Sequence, residues 1–113
     1  MVIYIQKYDV LPQSRAAWGQ WTAQSLPQLL QVPGPLDFSM HRQRLSTRQI
    51  AAVYSFSGLD TWSTWMQSEP LRQMNAELRQ LSLHHEFELW DTFSQLPERL
   101  RIDPTAQRSS ENE

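Results

Sequence analysis

Apolar and polar residues alternate over residues 2 to 8, with β-branched and aromatic side chains prominent, and this period of two predicts a first strand. Leu11-Pro12-Gln13 breaks the pattern, and Ser14 stands where a helix N-cap belongs, ahead of a helix running toward residue 31. Trp18, Trp21 and Leu29 share one face of that helix. Pro27 removes a backbone donor inside it, which predicts a kink or a fresh start. Pro33-Gly34-Pro35 ends the segment. Alternation returns over residues 36 to 44, with Leu36, Phe38 and Met40 against Asp37, Ser39 and His41. After a hairpin loop at 45 to 48, a third strand over 49 to 56 sets Ile50, Ala52, Tyr54 and Phe56 against Ala51, Val53 and Ser55. Ser57 then caps a helix carrying Trp62, Trp65 and Met66. Ser68-Glu69-Pro70 restarts it, and Leu71, Met74, Leu78 and Leu81 follow at helical spacing. Residues 84 to 93 form a fourth strand, with His85, Phe87 and Leu89 on one face and His84, Glu86, Glu88 and Trp90 on the other.

The order β-α-β-β-α-β predicts an α+β, ferredoxin-like domain over residues 1 to 94, a four-stranded antiparallel sheet with two helices on one face. Residues 95 to 113 contain two prolines and end in RSSENE, and they read as a partly disordered C-terminal extension.

Composition narrows the functional classes. A net charge of −2 and a pI near 5.9 argue against a nucleic-acid binder, and Arg42, Arg44 and Arg48 read as a solvated hairpin rim. The chain has no cysteine, which removes disulfides and thiolate metal sites. No apolar run has membrane-spanning length, and the N-terminus lacks the basic leader of a signal peptide, so a cytoplasmic setting is the expectation. With 113 residues the core is modest, and association with a second copy would add burial.

Three stretches resemble one family. Pro33-Gly34 stands before the second strand; Val53 to Trp62 closes the third strand and opens a helix; TWSTWMQSEPLRQM continues that helix through a Ser-x-Pro break. Together they resemble the antibiotic-biosynthesis-monooxygenase-like family of the dimeric α/β-barrel superfamily, with similarity spread over residues 2 to 93. The resemblance implies a homodimer in which open sheet faces pair into a barrel. It also implies oxygenase chemistry on an electron-rich aromatic substrate without metal or flavin, in a pocket whose side chains position the substrate and assist proton removal. A tryptophan is common in the family where this chain has Phe56. The His-Asn-Trp set of the related haem-degrading enzymes is not evident, since strand one offers Gln6 and no asparagine.

Within that frame His41 is the candidate proton acceptor, with Tyr54, Phe56, Trp62, Tyr4 and Gln6 as candidate substrate-binding residues. His41 is expected to line one cavity with Tyr54, Phe56 and Trp62, while Tyr54, Phe56 and Trp90 are expected to drive pairing of the open sheet faces. No cofactor and no metal site are expected. The adjacent His84 and His85 point to opposite faces of a strand, and only a His84, Glu86 and Glu88 trio shares one. The alternative reading is a non-catalytic dimeric domain that binds a hydrophobic ligand or a partner, and an isomerase or lyase is a third.

Overall fold

The computed structural model describes residues 1–45 and 49–92. Its strands are β1 (Val2–Val10), β2 (Asp37–Arg42), β3 (Gln49–Phe56) and β4 (Ser82–Asp91), and its helices are α1 (Arg15–Leu30), α2 (Leu59–Met66) and α3 (Glu69–Leu81). One antiparallel sheet runs in the order β2-β3-β1-β4. This is the ferredoxin-like arrangement, with the second helical stretch divided at the Ser68-Glu69-Pro70 break into α2 and α3. α1 passes through Pro27 without interruption, because the proline stands in its last turns where little helix remains downstream. The serines anticipated as caps make no side-chain cap bond to the α1 or α3 termini, and the α2 N-cap is Gly58 rather than Ser57. The domain boundary at residue 94 and the C-terminal extension lie outside the described residues.

The period-two pattern of β1 divides the sheet into two faces. Val2, Tyr4, Gln6, Tyr8 and Val10 are buried, and the residues between them are half-buried. The register carries this division across the strands. Phe38, Tyr54 and Tyr4 form one row, and Met40, Ala52 and Gln6 the next. These rows pack under the helices with Leu29, Trp65, Leu71 and Leu78, which are all nearly inaccessible. Trp65 is the keystone of the layer. Its ring lies 4.8 Å from Tyr54 and 5.1 Å from Phe56, both tilted, and aromatic pairs of this kind contribute about 0.5–1.5 kcal/mol each beyond area burial. Gly34, with φ +148°, lets the loop before β2 close on Trp65, where an added Cβ would stand 3.1 Å from the indole.

Tyr54 and Phe56 therefore face the helices and not the open side of the sheet, which corrects the expectation that they pair two subunits. The helices' apolar stripes require the larger side chains beneath them. The open face is left with Ile3, Ile5, Val53, Ala51 and Trp90, interspersed with Asp37, Ser39, His41, Lys7, Glu86 and Glu88.

Candidate functional site between sheet and helices

A polar pair lies inside the aromatic layer. Gln6, only 6% exposed, donates from Nε2 to Asn75 Oδ1 at 3.2 Å, joining the centre of β1 to α3. Tyr4 and Tyr8 flank Gln6 on the same face of β1. Tyr8 accepts a hydrogen bond from Trp18 Nε1 at 3.1 Å, which leaves its own hydroxyl hydrogen free to donate. Burial pushes Tyr4 and Tyr8 up to about 12 and Tyr54 higher still, so all three phenols stay neutral well above physiological pH. Neutral phenols and carboxamides in a dry aromatic setting suit the orientation of a planar ligand by stacking and directed hydrogen bonds.

A cleft between α1 and α3 with a volume of about 370 Å³ is lined by Leu29, Val32, Pro70 and Met74 together with Gln28, Gln73 and Glu77. Glu77 is held in place by Trp21 Nε1, which donates to Oε2 at 2.7 Å. Beneath it lies a residual space of about 20 Å³ bordered by Gln6, Tyr8, Ala52 and Tyr54. Met74 lines both spaces. A methionine is unbranched and changes rotamer readily, so Met74 is the adaptable residue between them. Trp62 lies 5.9 Å from Tyr4, and the indole N–H groups of Trp62 and Trp65 are buried without a hydrogen-bond partner. Such unpaired donors are few in native structures and mark polar capacity held in reserve.

The expected residues thus separate into two groups. Tyr4, Gln6, Tyr54, Phe56 and Trp62 come together on the helix side. His41 lies on the other side of the sheet, exposed, with Nε2 2.9 Å from Ser39 Oγ. It borders a shallow open-face depression of about 250 Å³ with Lys7, Arg42 and Gln49. The cavity expected to join His41 to Tyr54, Phe56 and Trp62 is therefore not formed within one subunit. The physical reason is the alternation already seen between His41 and its neighbours Phe38 and Met40, which sends the imidazole away from the layer that those two enter. On the open face Lys7 pairs with Glu88, whose Oε1 also accepts from Trp90 Nε1 at 2.9 Å. That hydrogen bond and charge raise Lys7 and lower Glu88. His84 instead contacts Asp9, and among the described residues no group of three or more His, Asp or Glu comes together to hold a metal ion.

Asn75, Met74 and His85 were not anticipated as pocket residues. Asn75 left one signal, a carboxamide interrupting the apolar stripe Leu71, Met74 and Leu78. Alternation did place His85 on the face of Phe87, where the structure keeps it, but its contact with Ser82 left no signal, because that depends on the register shift in β4.

No family model matches the chain, and no curated protein matches it. Solved structures do. A proposed antibiotic biosynthesis monooxygenase from Deinococcus radiodurans superposes with TM-score 0.76 at 14% identity, over 91% of this chain and 99% of that one. SnoaB, a cofactor-independent oxygenase from Streptomyces nogalater, superposes with TM-score 0.70 at 18% identity, over 86% and 97%. A conserved protein from Methanosarcina mazei Go1 gives TM-score 0.71 at 10% identity, over 79% and 89%. The fold is the one these proteins share. Among the described residues no helix is long and apolar enough to cross a membrane.

Burial of the phenols has a consequence for pH. Tyr4, Tyr8 and Tyr54 are all the tyrosines of the chain. The folded protein holds their protons above the ordinary value of 10.0, so from pH 10 upward the unfolded state binds fewer protons and stability falls as pH rises toward 12. Spectrophotometric titration is expected to show no phenolate while the circular dichroism remains native, then a joint appearance of phenolate at alkaline unfolding. A phenolate signal near pH 10 in the folded protein would contradict this burial.

Proposed function

We propose that the protein is a cofactor-independent, monooxygenase-like enzyme that acts on a small electron-rich aromatic molecule held between the sheet and the helices. The observation that carries this reading is a cleft of ligand size that shares Met74 with an inner space lined by the neutral polar Gln6 and Tyr8, Gln6 being hydrogen-bonded to Asn75. Binding pockets for small molecules run from about 300 Å³, are mostly apolar and place few polar groups. The fold shared with SnoaB supports the same direction. In this reading the substrate displaces Met74 and stacks against the aromatic layer. Its carbonyl or hydroxyl groups meet the carboxamides, and loss of one acidic proton gives an anion electron-rich enough to react with O₂. The protein's contribution is positioning and exclusion of water. His41 stands outside this space and takes no part in it.

The reading includes a homodimer formed through the open face, where Ile3, Ile5, Val53 and Trp90 would be covered and the Lys7–Glu88 pair enclosed at the seam, in a cytoplasmic setting. A stable pair buries about 1,600 Å² in total. Sedimentation should give a dimer at micromolar concentration, and Val53→Glu, which places a charge at the centre of that face, should give a folded monomer. A monomeric unsubstituted protein would contradict the open-face dimer.

Oxygen uptake with a hydroxyanthrone as probe tests the activity. Uptake matched to loss of the anthrone is expected. Met74→Trp, which fills the space beside Met74, should lower kcat/KM by about tenfold or more, equivalent to ~1.4 kcal/mol in transition-state stabilisation. Tight binding of the probe, followed by tryptophan fluorescence, with no oxygen uptake would replace this reading with that of a non-catalytic ligand-binding domain.

A further inference from the structure

β4 places its two histidines by breaking its own register. Lys7 pairs with Glu86 and Asp9 with Leu83, so the single residue Tyr8 of β1 stands opposite both His84 and His85. His84 absorbs the extra residue with φ +55°, a left-handed conformation that few residues other than glycine adopt. Its Nδ1 lies 2.8 Å from Asp9 Oδ2, which ties the bulge to β1. Bulges re-aim side chains, and strain of this kind persists where the surroundings over-determine it. Here the extra residue lets Ser82 and His85, three positions apart, stand on the same face of β4. The His85 ring stacks on Tyr8 with centroids 5.8 Å apart and lies 6.3 Å from Phe87.

Ser82 decides which imidazole nitrogen carries the proton. A serine hydroxyl has one hydrogen, and Ser82 Oγ lies 2.5 Å from the Leu78 carbonyl, which can only accept. The hydrogen goes there. Ser82 Oγ is also 2.9 Å from His85 Nε2, and its remaining role in that contact is acceptor. Nε2 therefore carries the N–H, and Nδ1 is a bare lone pair. Nδ1 is buried and has no hydrogen-bond partner among the described residues. Loss of surrounding water, and then the charge of Arg79 on α3, both hold the ring in its neutral form. The structure thus keeps an oriented, unprotonated acceptor beside Tyr8, on the rung next to Gln6 and Phe87. Phe87 is 49% exposed and offers a ring face to a planar ligand.

We propose that His85 Nδ1 is the acceptor that takes the proton from the hydroxyl or acidic carbon of the bound aromatic ligand. This rests on the oxygenase reading of the same layer. In the step the ligand's O–H or C–H bond breaks, the electron pair stays on the ligand, and the proton forms an N–H bond at Nδ1. The imidazolium keeps its Nε2–H on Ser82. The ligand anion formed beside it balances the charge that burial and Arg79 disfavour. The β4 bulge, held through His84 and Asp9, is what brings Ser82 to the face on which His85 stands.

Long-range ¹⁵N NMR of the full chain tests the acceptor directly. His85 is expected as the Nε2–H tautomer, and adding a hydroxyanthrone under nitrogen should shift the Nδ1 resonance. An Nδ1–H tautomer, or an Nδ1 resonance unmoved at saturating probe, would overturn the proposal. His85→Phe preserves the stacking on Tyr8. With folding verified by circular dichroism, it should lower kcat for oxygen uptake by about 10²-fold or more with little change in KM, and an unchanged kcat would overturn the proposal. Absence of oxygen uptake by the unsubstituted protein would instead remove the oxygenase reading, and the NMR result would still decide whether Nδ1 accepts from the ligand.

Discussion

The packing of Trp65 on Tyr54 and Phe56 is the contact on which the rest of the structure depends. It fixes the distance between sheet and helices through rings that cannot be compressed. Tyr4, Tyr54 and Phe38 extend the layer along one rung, and Gly34 brings the preceding loop against the indole. Because the rings are rigid, their spacing leaves a gap that side chains fill incompletely, and Met74 is the flexible residue that occupies it. The same burial keeps every phenol protonated. One packing constraint therefore produces both the dry surroundings of the candidate site and its neutral hydrogen-bonding character.

The sheet separates two kinds of chemistry. On the helix side, polar groups are sparse and held in fixed geometry, as in Gln6 with Asn75 and His85 with Ser82. On the open side, charges pair across strands, with Lys7 on Glu88 and Trp90 on the same carboxylate, and His41 remains in contact with Ser39. Directed hydrogen bonds in a dry layer can orient a ligand, whereas exposed pairs are screened and contribute little to stability. The open face has the mixed apolar and paired-charge character of a surface to be covered, and the helix side that of a site.

Period-two alternation made β1 to β4 legible, because the backbone itself sends successive side chains to opposite faces. It also showed that Tyr54 and Phe56 share a face and that His41 opposes Phe38 and Met40. It did not show which face the helices would cover, since that follows from how the stripes of α1 and α3 meet the sheet. Tyr54 and Phe56 were assigned to the wrong side for this reason, and His41 was joined to a cavity on the far side of its own strand. Tyr4, Gln6 and Trp62 lie together on the helix side of the sheet. Asn75 was legible in principle as a carboxamide within an apolar stripe. The contact of His85 with Ser82 was not, because the bulge that sets the two on one face arises from pairing between β1 and β4.

The central claim is that the ligand site lies between the sheet and the helices. The most direct measurement is a crystal structure of the protein soaked with a hydroxyanthrone in the absence of oxygen. The account predicts ligand density entering between α1 and α3, with Met74 displaced and a ligand oxygen within hydrogen-bond distance of the Gln6 or Asn75 carboxamide. Density confined to the open face beside His41 and Lys7, with Met74 unmoved, would contradict it.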